Sequence, residues 1–295
     1  MLHMRVIQFI IQKIRHLFYL IWSHLWHKSV EPNLSISIDI VIPIVERDLE
    51  ILPLCLEGLK RNVCHDIKDI YIVAPDNKLI KEFAKKHNLV FIEETTVLGY
   101  SPKDIHYIAP NGLNRGGWMF QQLLKLSGKI GSSRYFVVID ADHILLKPHV
   151  FITKDNSIVF YQSSEYHIPY YRNIKKILKF YPVSLFSYVS HKMIFDKEEL
   201  AGLHAKIESL NNKNLSWDKV ILSYLDDKEL SCFSEFELYG NYVANHKKTL
   251  LPWREKTLPK NQLFNYEKLQ QMNSQYLSVT FPSYLDIRYI HKKNT

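Results

Sequence analysis

At 295 residues, with 46% hydrophobic and 23% charged content, the chain is long enough for one large domain or two small ones and too apolar to be disordered. A formal charge of +8 favours polyanionic partners such as phospholipid, nucleotide or nucleic acid without choosing among them. The three scattered cysteines, Cys55, Cys64 and Cys232, exclude a disulfide framework, have no metal-ligand spacing and fit a reducing compartment.

From Met1 to Val30 there are Arg5, Lys13, Arg15 and Lys28 but no acidic residue. Ile7, Ile10, Ile11, Ile14, Phe18, Ile21 and Leu25 recur at helical spacing, with Arg5, Gln8, Gln12, Arg15, Tyr19 and Ser23 on the other face. Trp22 and Trp26 are amphipathic rings suited to a lipid headgroup layer, so the spacing predicts an interfacial helix. Lys13 and Arg15 interrupt it too near its middle for a transmembrane span. The competing reading is a helix packed on the protein's own body or on a second subunit.

Beyond it, residues 35–44 read as a buried strand, 49–61 as a helix, 69–74 as a strand, 78–86 as a charged amphipathic helix and 89–93 as a third strand. Such alternation predicts a mostly parallel sheet flanked by helices, with ligands beyond the carboxyl ends of the strands. The turn-rich stretch from Pro110 to Gly117 leads into a helix over 118–126. Tyr135-Phe136-Val137-Val138-Ile139 then reads as a central strand running directly into Asp140-Ala141-Asp142. The second half is less regular, with a strand at 157–161, helices at 173–180, 196–211 and 217–225, and a stretch over 233–244.

Asp140 and Asp142 are two residues apart, so on an extended segment their carboxylates project to one side and share a hard cation. Mn2+ or Mg2+ held there would neutralise a departing nucleoside diphosphate; the bland alternative is a solvated turn. Arg115 and Lys125 are candidates for phosphate charge, and Gly116 and Gly117 would let backbone N–H groups approach a diphosphate near a helix start, against the plainer role of a glycine turn. Glu235 and Glu237 repeat the two-residue spacing. Glu235 is the candidate general base and Glu237 a binding group, while Asp218 is a rival base whose plainer role is to stabilise a helix start.

Ile42-Pro43, Val73-Ala74-Pro75-Asp76, Arg115-Gly116-Gly117-Trp118 and Val138-Ile139-Asp140-Ala141-Asp142 occur in an order that resembles the GT-A glycosyltransferases. More narrowly, Gly117-Trp118-Met119-Phe120-Gln121-Gln122 and Ser234-Glu235-Phe236-Glu237-Leu238-Tyr239-Gly240 resemble motifs of a group encoded in bacterial capsule and lipopolysaccharide gene clusters. The resemblance spans about residues 38–242. It implies a GT-A, Rossmann-like α/β fold, a nucleotide-sugar donor with a UDP-hexose favoured, a divalent metal on Asp140 and Asp142, and a glycan or glycolipid acceptor. Trp118, Gln121, Lys125, Glu237 and, where an acceptor pocket is expected, His191 would then line the substrate sites, and of the fourteen histidines His246 or His291 would suit the late histidine that such enzymes often add to the metal shell. On that reading residues 1–30 form a basic membrane-association helix, 35–150 the nucleotide-sugar-binding half and 151–295 the acceptor-binding half of the same domain. The protein would sit in the cytoplasm, peripheral on the inner face of the membrane. A sugar nucleotidyltransferase is the first alternative, weakened by the absence of glycine from Pro43-Ile44-Val45-Glu46-Arg47-Asp48. A catalytically silent scaffold of a polysaccharide assembly complex is the second. No nucleic-acid motif accompanies the basic charge.

Overall fold

The computed structural model describes residues 2–25, 30–182, 184–211, 214–243, 248–252 and 254–285, with side chains from residue 10 onward except that of Tyr284. His246, His291 and Trp26 lie outside the described residues.

A first helix, α1 (Leu2–Leu25), precedes a mixed α/β body. The body opens with β1 (Ser37–Pro43), α2 (Leu52–Asn62), β2 (Asp66–Ala74), α3 (Lys78–Lys86), β3 (Val90–Glu93), α4 (Glu94–Leu98) and α5 (Gly116–Leu126). It continues through β4 (Tyr135–Ile139), β5 (His143–Leu145), β6 (Ile158–Gln162), α6 (Ile168–Leu178), β7 (Lys192–Asp196), α7 (Lys197–Leu210) and α8 (Trp217–Ser223). The last elements are α9 (Glu235–Tyr242), β8 (Lys248–Pro252), β9 (Glu255–Thr257), α10 (Tyr266–Met272) and β10 (Ser278–Thr280).

The central sheet has the order β3-β2-β1-β4-β7. The first four strands are parallel, as βαβ crossovers require, and β7 closes the edge antiparallel to β4. All of β1 after Ser37 is buried, as befits a strand covered on both faces. That includes Asp39, whose carboxylate accepts the N–H groups of Ser132 and Ser133 and so pins the chain just before β4. Two smaller sheets, β5-β10-β9 and β6-β8, accompany it. One apolar cluster runs from Ile38 to Leu251 and draws on both halves of the chain, and a second, around Ile144, Leu258, Tyr266 and Phe281, holds the last elements.

Several boundaries differ from those expected. The helix placed at 173–180 begins at Ile168, because Pro169 fits its first turn. The helix placed at 196–211 is the end of β7 followed by α7, with Asp196 accepting the N–H of Glu198 as its cap. The helix placed at 118–126 takes in Gly116 and Gly117.

The orientation of α1 reverses that of an ordinary surface helix. Its polar side meets the protein: Arg15 lies 3.5 Å over the Tyr166 ring, Gln12 donates to the Tyr166 carbonyl, His16 meets the Ser164 hydroxyl and Arg254 donates to the carbonyl of Ser23. Trp22, expected at a headgroup layer, instead stacks on Phe186 at 5.0 Å between ring centroids. Ile10, Ile11, Ile14, Leu17, Phe18, Leu20, Ile21 and Leu25 face outward, 46–67% exposed.

Candidate active site

In the order β3-β2-β1-β4 the chain reverses its direction of winding between β1 and β4, which opens a crevice at their carboxyl ends. From β1 comes the loop bearing Asp48, and from β4 comes Asp140-Ala141-Asp142. The triplet is a tight turn rather than an extended segment: His143 N–H donates to the Asp140 carbonyl at 3.0 Å and β5 starts at once. The same-side argument for two carboxylates on a strand therefore does not apply. The turn is fixed instead by its neighbours, with Asp140 N–H on the His191 carbonyl and the Asp142 carbonyl accepting from Phe281 N–H.

Four residues expected at the site meet here. Lys125 of α5, almost wholly buried, places Nζ 2.8 Å from Asp140 Oδ1 and 3.0 Å from Glu235 Oε1. His191 Nδ1 lies 3.0 Å from Asp140 Oδ2. Its backbone has φ 53°, a region that a non-glycine residue enters at a cost and that clusters at functional positions. Burial disfavours the Asp140 carboxylate, yet Lys125 and His191 overcome this and hold its pKa below the usual carboxylate range. Asp142 gains less from His191: burial and the charge of Asp140 outweigh it and push Asp142 up to about 6. Asp48 is raised too, mainly by burial, with a contribution from Asp140.

Glu255 of β9 joins this cluster from a distant part of the chain. Its carboxylate lies 3.9 Å from His191 Nε2 and 3.7 Å from His143 Nδ1, and burial pushes it up to about 7. His143 itself, fully buried, also approaches Lys192 Nζ at 3.4 Å. Glu255 gave no signal in sequence, because Arg254-Glu255-Lys256 reads as a solvated charge run. His191 and Glu255 also form part of the lining of a cavity of about 830 Å³, whose opposite wall is α1.

Burial alone would lower the His191 imidazole, but the Asp140 hydrogen bond and the charges of Glu255, Asp140 and Asp142 raise it to about 9. A raised folded pKa contributes stability that is complete below about 6.5 and lost as pH climbs through about 9. The thermal midpoint of metal-free protein therefore falls between pH 7 and 9, and His191→Gln flattens that slope; equal slopes would show that the imidazole is not charged in the fold.

Other expected residues lie elsewhere or act structurally. Asp218 accepts a hydrogen bond from Tyr100 at 2.8 Å in the first turn of α8. Gly116 is buried where a Cβ would meet the carbonyls of Ile105 and Pro102 at 2.6 and 2.9 Å, so α5 can start there only on glycine. Gly117 faces open space, Gln121 is half-buried on α5, and the Arg115 guanidinium lies 4.1 Å over the Trp118 ring. The late motif is largely a packing hub. Ser234 caps α9, the Tyr239 hydroxyl accepts Asp196 N–H, and a Cβ at Gly240 would run into the Tyr188 ring. Glu237, fully buried, accepts from Tyr171, the Ser187 hydroxyl, Tyr188 N–H and Asn241, which ties α6, α9 and the approach to β7 together.

The family described as "Family of unknown function (DUF6492)" matches residues 35–285. The chain belongs to this family. In this DUF6492 protein the match therefore takes in the whole acidic cluster and leaves out α1. No curated protein matches the chain. Among solved structures, it is similar to mouse xyloside xylosyltransferase 1 in its apo form, at 9% identity and TM-score 0.45 over 85% of this chain and 100% of that one. It is also similar to the galactosyltransferase LgtC in complex with donor and acceptor sugar analogues, at 9% identity and TM-score 0.41 over 83% of this chain and 87% of that one.

Proposed function

We propose that this protein is a metal-dependent glycosyltransferase of the GT-A kind, moving a hexose from a nucleotide-sugar donor, best a UDP-hexose, to a bacterial surface glycan or lipid-linked acceptor. The observation that carries the proposal is the pair Asp140 and Asp142 at the carboxyl end of β4, in the crevice where the parallel sheet reverses its winding. Burial first, and then repulsion among the carboxylates, pushes Asp142 and Glu255 up to about 6 and 7 despite the charge of His191, so the cluster is short of positive charge.

Mn2+ or Mg2+ fits that deficit. Among the described residues no three metal-binding side chains form a cage, and a magnesium-like ion that takes one or two carboxylates and completes its shell with phosphate oxygens and water needs none. Asp142 and Asp140 would hold it, and the bound ion would neutralise the charge gathering on the departing nucleoside diphosphate. The chain's own groups prepare the place. Lys125 and His191 fix the Asp140 carboxylate, Glu235 holds Lys125 from its far side, and the buried walls exclude water from the charged groups. Arg115, half-buried at the start of α5, remains a candidate donor for phosphate oxygens. Glu235 remains the first candidate for the acceptor's base, although its pairing with Lys125 at 3.0 Å must loosen before it can take a proton. The decisive experiment is nucleotide release from a panel of UDP-, GDP-, CMP- and dTDP-sugars with Mn2+, repeated in EDTA. Release that disappears in EDTA supports the reading and names the donor; no release from any donor, with membrane extract supplying acceptors, favours the silent scaffold.

In this reading the protein lies on a membrane surface, and the outward apolar face of α1 supports that. Among the described residues no helix is long and apolar enough to cross one. A helix that turns eight large apolar side chains outward, in a stretch without acidic residues, suits the interface of an anionic bilayer. In flotation with phosphatidylglycerol-rich vesicles the protein rises with the lipid, and Ile14→Glu with Phe18→Glu lowers the bound fraction by about tenfold or more. Equal binding of variant and wild type would remove α1 as the contact.

A further inference from the structure

The cavity beneath α1 has two chemically different ends. Its floor is His191, Glu255 and Arg254, and its α1 wall includes Leu20, Ile21 and Leu25, which are also part of the outward apolar face. The floor is therefore continuous with the acidic cluster, and the wall is continuous with the surface assigned above to the bilayer. At about 830 Å³ it is within the range of small-molecule sites.

We propose that this cavity takes an amphiphile, a saccharide carried on an apolar chain, with the sugar against His191 and Glu255 and the chain leaving past Leu20, Ile21 and Leu25 toward the lipid. The proposal rests on the glycosyltransferase reading for its role, since it makes the amphiphile the acceptor. It also chooses between the glycan and lipid-linked acceptors left open above. Three features select this ligand. Glu255 lines the cavity with 11% of its side chain exposed, and its Oε1 meets His191 Nε2 only at 3.9 Å, beyond hydrogen-bond reach, so a sugar hydroxyl in the cavity would give that carboxylate a bond. A purely apolar ligand would cover His191, Glu255 and Arg254 without satisfying them. A soluble glycan would fill the polar end alone and leave the part lined by Leu20, Ile21 and Leu25 unfilled, whereas an apolar chain fills it on its way to the bilayer. Arg254 fixes this geometry, because its donation to the Ser23 carbonyl at 2.9 Å ties the floor to the wall.

The probe is dodecyl glucoside carrying a diazirine at the chain end, used below its micelle concentration on full-length protein in EDTA without donor. Irradiation and peptide mapping should give saturable labelling within residues 17–25. Excess unlabelled dodecyl glucoside should compete, and free glucose at the same concentration should not. Thr257→Trp and Gln275→Trp fill the cavity from two separate segments, so a folding defect in one leaves the other. Each lowers labelling by at least about tenfold, while flotation on vesicles, read in parallel, stays at the wild-type level. Labelling that does not saturate, that centres on Ile10, Ile14 and Phe18, or that ignores both variants overturns the proposal, as does the absence of label. Nucleotide release is scored separately. Release from a donor without cavity labelling overturns the amphiphile site alone, and labelling without release from any donor overturns its role as acceptor.

Discussion

Asp142→Ala removes metal-dependent nucleotide release, a loss of about three orders of magnitude, and at the same time leaves the protein as stable as wild type or more so. Both halves follow from one environment. Asp142 is pushed up to about 6 by burial and by Asp140, so its ionised form is disfavoured in the fold and deleting it relieves repulsion. A carboxylate kept at a cost to stability is what a cation site requires. The check is nucleotide release beside thermal melting in EDTA, on the same preparations. Turnover at the wild-type rate would show that Asp142 does not hold the cation. A large fall in melting temperature would make Asp142 a structural residue instead.

Lys125→Met should behave in the opposite way. The ammonium is buried between Asp140 and Glu235, and although burial opposes its charge, those two carboxylates raise its pKa. Removing it leaves Asp140 and Glu235 with no cation between them, only His191 on the far side of Asp140, and breaking a buried ion pair by deleting one partner costs about 3–5 kcal/mol. Urea unfolding reads this directly as a lower midpoint at unchanged slope. Lys125→Met with Glu235→Gln recovers part of the loss, because one of the stranded charges is gone. If the single variant lost less than about 1 kcal/mol, the magnitude of an exposed pair, the buried triad would not be the anchor of the site. The two variants thus separate a group that holds the ligand from a group that holds the site.

The first half of the fold was legible because its pattern is carried by local chemistry. β1, β2 and β4 end in apolar runs, α3 has its lysines on one face, and turn-forming residues punctuate them. Asp140 and Asp142 were legible for the same reason, since a strand that ends in two carboxylates is a local event. Lys125, His191 and Glu235 were named individually, but their meeting was not readable, because α5, the residue before β7 and α9 come together only through the sheet. β7 was missed because it begins with a buried lysine and runs antiparallel beside β4, so neither alternation nor a crossover announced it. Glu237 shows the reverse difficulty. Its spacing from Glu235 suggested chemistry, while four hydrogen bonds from three segments make it a joint. Sequence offers no distinction between a carboxylate that meets a substrate and one that meets four donors of its own chain.

The inward-turned polar side of α1 bears on how such a protein is prepared. Cutting away residues 2–25 looks like a route to better solubility, since it removes eight exposed apolar side chains. The cut would also uncover Phe186 and Tyr166, which Trp22 and Arg15 now cover, and would take one wall from the cavity beside His191 and Glu255. Trimming therefore exchanges one greasy surface for another and reshapes the pocket under study, so a mild detergent serves this molecule better than a shorter chain.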